Sequence, residues 1–339
     1  MTEQRFRAVW GLIGLAAVVV VSACSTTPTS ASKSTKYPIY EMSSAIVRPV
    51  FPTGDQNLAW LDDERVLFEG LDRELRDPVE TNRGVRVAMR GLYIWNIRTN
   101  EVIRHTREAL RSFLCFADGH VSYSVYRNGK VVWMEGPFGR EQEVAPISAA
   151  QRSLNPFTCK SYDRATLPKP KIGGGIEPLR PEHGWIEHTG NSTWFRALDE
   201  SLTQLTYDGR PIGTVRPQKY SPHSQKYIFW RPSQATWLIA SNGAVLQQAQ
   251  PIGVPNEGRL EPAGKGKTLW RLTRVNVRAN WDAGDSGLYS FGPADTPERL
   301  IAGVIDAMQV HSNGCLVAAI VDPWDREARV HRLTAVNIC

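Results

Sequence analysis

Tyr220-Ser-Pro-His-Ser-Gln-Lys-Tyr-Ile-Phe-Trp230 decides the fold, because a turn built from Ser, Pro and His hands over at once to a short run of β-favouring residues. The same order of turn and run recurs at residues 60–68 (WLDDERVLF), 116–125 (FADGHVSYSV), 179–187 (LRPEHGWIE), 260–270 (LEPAGKGKTLW) and 311–320 (HSNGCLVAAI). The starts lie 40 to 63 residues apart, about 50 on average. Second strand pairs with their own turns follow at 93–103, 123–133, 237–246 and 288–301. Asn128-Gly129 and Asn242-Gly243 read as hairpin turns, since both residue types tolerate φ > 0. From Ile39 onward helix-period patterns are scarce, so the grammar is all-β.

Four strands in about 50 residues, repeated six times, is the accounting of a β-propeller blade. The turn-plus-strand element at residues 220–230 resembles that of TolB-like six-bladed propellers. The resemblance implies protein partners in a cell-envelope complex. A seven-bladed ring and two β-sandwiches are the alternative folds. Residues 71–90 are expected to insert a short exposed helix, and residues 147–175 a loop. The last repeat lacks one strand, which residues 44–50 are expected to supply. Trp281-Asp282 and Trp324-Asp325 sit in turn-rich segments and read as chance dipeptides, not as WD40 signatures.

The amino-terminal stretch reads as a processing signal. Arg5 and Arg7 precede an apolar run over residues 8–21, short of the ~18 residues that span a bilayer. Val21-Ser22-Ala23-Cys24 resembles the bacterial lipobox, which implies cleavage after residue 23 and lipid on Cys24. Several acyl chains anchor stably, at roughly 0.8 kcal/mol per buried CH₂. Residues 24–38 then form a Ser/Thr-rich tether, and residues 39–339 the propeller. Ser25 beside the lipidated Cys implies sorting to the outer membrane if the cell is Gram-negative.

Export makes disulfides available to the other four cysteines. Cys315 and Cys339 flank two strand-like runs, 316–321 and 328–338, joined by the turn-rich Asp322-Pro323-Trp324-Asp325-Arg326, so a hairpin there would bring both ends together. Cys115 with Cys159 follows by elimination, and buried thiols are the alternative. No spacing is a CxxC, which argues against a zinc or dithiol redox site.

The 339 residues carry 40 Lys+Arg against 34 Asp+Glu, a formal +6 spread without blocks of like charge, so no nucleic-acid partner is expected. No nucleophile elbow, P-loop, dinucleotide fingerprint or zincin motif occurs. His183-Gly-Trp-Ile-Glu187-His188 has metal-ligand types at the wrong spacing, and Asp282-Ala-Gly-Asp285-Ser286 reads as a turn. Ten Trp follow the signal and are expected chiefly as packing between blades, a subset lining a central funnel where sugars or peptides could stack. No catalytic, metal or cofactor residue is assigned. The expectation is a lipid-anchored protein-binding or scaffolding module of the envelope, with a glycan- or peptide-binding funnel, or a hydrolase or lyase there, as the alternative.

Overall fold

In the computed structural model, each of the six turn-and-run elements folds into the innermost hairpin of its own antiparallel sheet. The structure describes residues 37–42, 47–49, 58–72, 79–80, 86–87, 90–146, 152–229, 236–248, 259–272, 285–292, 296–322 and 331–339. The signal, Cys24 and the tether up to residue 36, like both Trp-Asp dipeptides and residues 282–284, lie outside the described residues.

Among those residues, six sheets of four or five strands follow one another along the chain as a β-propeller. The first holds Val47–Pro49, Leu58–Trp60, Arg65–Asp72, Arg90–Asn96 and Val102–Arg104. The second holds Ala109–Ala117, His120–Arg127, Lys130–Pro137 and Gln142–Val144, and the third Gly175–Pro178, Trp185–His188, Thr193–Arg196 and Leu202–Gln204. The fourth holds Pro217–Ser221, Lys226–Phe229, Trp237–Ala240 and Val245–Gln247, and the fifth Arg259–Pro262, Thr268–Leu272, Gly287–Phe291 and Glu298–Ala302. Val304–Val310, Leu316–Asp322 and Arg332–Asn337 make the sixth, with Ile39–Glu41 on its outer edge.

Alternation along the strands supplies the apolar faces that sheets bury against each other. Leu58, Val66, Phe68 and Trp95 of the first sheet pack with Ala307, Ala318, Ile320 and Leu333 of the sixth, which closes the ring. Leu67 and Leu92 of the first pack with Phe113, Val121 and Val125 of the second. Ile186 and Phe195 of the third pack with Tyr227, Phe229 and Ile239 of the fourth. Leu269 and Leu288 of the fifth pack with Ile305, Val317 and Val336 of the sixth. Each buried Val, Leu, Ile or Phe among them contributes roughly 1.5–3 kcal/mol on leaving water.

Three expectations are corrected. The closing strand is Ile39–Glu41 and not the 44–50 run: Ile39 pairs with Val336 and Glu41 with Thr334, while Val47–Pro49 pairs with the far end of Arg65–Asp72. Tyr37 and Met42 explain the choice, since both are buried in the cores beside this strand. The segment 71–90 holds an antiparallel strand pair, Val79–Glu80 with Arg86–Val87, and no α-helix occurs among the described residues. It joins two neighbouring strands of one sheet and has to return to its start, which an antiparallel pair does. The segment 147–175 carries a hairpin, Arg152–Asn155 against Lys160–Asp163, whose tip buries Phe157 and Cys159. Asn128 (φ 50°) and Gly129 (φ 74°) form the expected tight turn, whereas at Asn242-Gly243 only the Gly takes positive φ.

Candidate functional site

Because every innermost strand runs in the same sense, the turns that follow them gather on one face of the ring. They span residues 61–64, 118–119, 179–184, 222–225, 263–267 and 311–315. Between those of the first to fourth and sixth sheets opens a cavity of about 290 Å³, walled by Trp60, Phe116, Phe157, Tyr220, Arg180 and His311 among others. The sequence supplies this lining in a regular way: the last residues of the inner strands give Trp60, Phe116 and Tyr220, and the turns give Arg180 and His311.

Side-chain and backbone contacts tie neighbouring sheets across this mouth. Arg180 of the third sheet reaches Asp118 of the second at 2.7 Å and Glu182 of its own turn at 2.6 Å. Its guanidinium lies 5.0 Å from the centre of the Tyr220 ring. Burial would lower the Arg180 pKa, but the hydrogen bonds to Asp118 and Glu182 carry it above its ordinary value. Arg180 in turn holds the Glu182 carboxyl below the usual carboxylate range. Lys219 of the fourth sheet pairs with buried Glu261 of the fifth at 2.8 Å. The Gly264 N–H donates to the Gly314 carbonyl at 2.8 Å, joining fifth to sixth. Trp60 Nε1 donates to the Gln309 carbonyl at 3.0 Å, and His311 lies edge-on to Trp60 with its Nδ1 3.4 Å from Asp63, joining sixth to first.

Behind this wall the Tyr227 hydroxyl accepts the Arg180 N–H at 3.0 Å and lies 2.7 Å from His183 Nδ1. Burial raises the Tyr227 pKa and lowers that of His183. Burial also raises that of Tyr220, whose ring faces the cavity. The cavity is therefore a preorganised aromatic wall whose Arg180 and Lys219 are already paired with carboxylates. It is suited to holding an apolar or aromatic group edge-on or stacked.

The residues singled out in the sequence disperse. His183 meets Tyr227, whereas His188 lies 3.9 Å from Glu177 and 3.4 Å from Thr193, so the pair does not converge. Disulfides join Cys115 to Cys159, with Cα atoms 5.7 Å apart, and Cys315 to Cys339, 5.2 Å apart. Both lie toward the mouth: Cys115 lines the cavity, and Cys315 ends the 311–315 turn. Of the Trp residues, Trp95 and Trp270 are fully buried and Trp60 borders the cavity. Arg180, Lys219 and His311 carry no motif; Arg180 and His311 are marked only by their place just after an inner strand, and Lys219 sits within one.

No family model and no curated protein matches the chain. Among solved structures, virginiamycin B lyase from Staphylococcus aureus is similar at 10% identity and a TM-score of 0.46, over 90% of this chain and 100% of that one. TolB from Acinetobacter baumannii is similar at 12% identity and a TM-score of 0.39, over 85% of this chain and 67% of that one. A chain of a mitotic checkpoint complex is similar at 10% identity and a TM-score of 0.47, over 94% of this chain and 100% of that one. None of them assigns an activity, ligand or partner to this chain.

Proposed function

We propose that this chain is an exported, lipid-anchored β-propeller that recognises a protein partner in the bacterial cell envelope through the cavity at its mouth. The observation that carries the reading is the cavity itself: an aromatic wall held by cross-sheet ties, with Arg180 and Lys219 neutralised by Asp118, Glu182 and Glu261. A surface set up in this way gives affinity through burial of aromatic area with little ordering cost. Two disulfides suit an oxidising compartment, in keeping with the signal and lipobox at residues 1–24.

Crosslinking in cells of the full-length protein, followed by purification and mass spectrometry, tests this. A partner is expected from wild type and from the outer-edge variant Leu246→Ser, and is expected to be lost from Tyr220→Ala, with melting temperature checking that each variant folds. Retention of the same partner by folded Tyr220→Ala would overturn the reading. The Trp60 and Tyr220 rings that line the cavity also offer faces on which a sugar ring could stack; Tyr220-dependent retention on a glycan array, with no protein partner recovered, would favour that second reading.

A further inference from the structure

The chain enters the described fold at Tyr37, and Tyr37 lies on the mouth side of the ring. Its ring centre is 4.4 Å from Lys267 Nζ, in the fifth sheet's mouth turn. The next residue, Pro38, accepts the Asn337 N–H through its carbonyl at 3.0 Å, and Ile39 pairs with Val336. From there the strand runs away from the mouth to Met42, whose N–H donates to the Leu333 carbonyl at 2.9 Å. Cys339, two residues beyond Asn337, is bonded to Cys315 at the end of the turn that carries His311 and Ser312 of the cavity wall. The entry point, the chain end and the cavity thus share one face.

We propose that this mouth face is the one turned toward the membrane, so that the cavity opens onto the lipid surface and meets its partner from that side. The proposal rests on Cys24 carrying the anchor, as proposed above. Residues 24–36 then separate lipid from fold. At about 3.3–3.6 Å per residue they reach at most about 45 Å, while a Ser/Thr-rich chain of that length has an r.m.s. span of only about 20 Å. The inner strand of the sixth sheet, on which the chain enters, is Val304–Val310, seven residues, which gives the wall there a height of about 23 Å. With the mouth toward the bilayer, the tether keeps its ordinary span. With the opposite face toward the bilayer, it would first have to descend the whole wall, using about half of its fully stretched length. Chain entropy therefore favours the mouth-down arrangement and leaves a gap of about 20 Å between ring and lipid.

The test uses the full-length lipidated protein in vesicles of phosphatidylcholine and phosphatidylglycerol containing a headgroup-labelled lipid that quenches by resonance energy transfer, which acts over tens of ångströms and so spans the gap. A fluorescent amino acid replaces either Ser312, exposed at the mouth, or Lys130, exposed in the turn on the opposite face. Quenching severalfold stronger at position 312 than at position 130 is expected; equal quenching, or the reverse order, would overturn the orientation. Vesicle flotation of Cys24→Ala reads the anchor separately. Loss of flotation supports the anchor, and continued flotation would remove the premise whatever the quenching shows.

Discussion

At Gly184 the backbone takes φ +99°, and a Cβ there would sit 2.2 Å from the Arg196 carbonyl oxygen. Gly184→Ala is therefore expected to cost about 2 kcal/mol or more, read as a fall of several degrees in melting temperature; an unchanged melting curve would contradict the strain argument. A second residue-scale expectation concerns acid. Burial pushes the Glu141 pKa up, but hydrogen bonds from His105 (3.1 Å) and the Gly139 N–H (2.7 Å) bring it below its ordinary 4.5. A carboxyl depressed on folding contributes stability above its unfolded pKa and loses it as pH falls through the folded value. Glu141→Gln should therefore flatten the decline in urea midpoint between about pH 5 and about pH 3, and an equally steep decline in the variant would refute the assignment. Such pairings were not legible in the sequence. The residue types of His183 and Glu141 were visible, but not that one ends against Tyr227, 44 positions later, or the other against His105, 36 positions earlier.

At the level of elements, the hairpin Arg152–Asn155/Lys160–Asp163 is the least expected piece, and the Cys115–Cys159 bridge fastens it to the second sheet. Its strands are polar and only partly buried, so nothing in their alternation separates them from a loop. Their pairing becomes stable because Phe157 enters the core shared by the third and fourth sheets and Asn155 donates to the Leu179 carbonyl at 2.7 Å. The bridge spans 44 residues, for which loop-closure entropy predicts a loss of about 4 kcal/mol in a Cys115→Ser/Cys159→Ser double variant. Because Cys115 also borders the cavity, the same variant should weaken partner crosslinking more than Cys315→Ser/Cys339→Ser does. Denaturant midpoints and crosslinking yields measured side by side check both, and a double variant with wild-type midpoint would show that the hairpin holds without its bridge.

For the whole molecule, the ring was legible because each blade must begin with a turn and an inner strand. All six starts read from the sequence fall on innermost hairpins. The closure was not, since a three-residue strand has no periodicity to read, and its partner lies nearly 300 positions away. Ile39–Glu41 covers the outer edge of Arg332–Asn337, while Tyr37 and Met42 fill the two cores on either side of the sixth sheet. Replacing residues 37–42 by a Gly/Ser stretch of equal length keeps the tether length and removes only this closure. The two buried side chains alone account for about 3–6 kcal/mol, a large share of the stability of an ordinary domain. The uncovered strand edge would also offer itself to a second copy. The variant should therefore melt far below wild type and elute as concentration-dependent oligomers. A monomer with the wild-type melting temperature would mean that the ring is held by the contacts between the first and sixth sheets, with the amino-terminal strand serving only as the lead-in to the anchor.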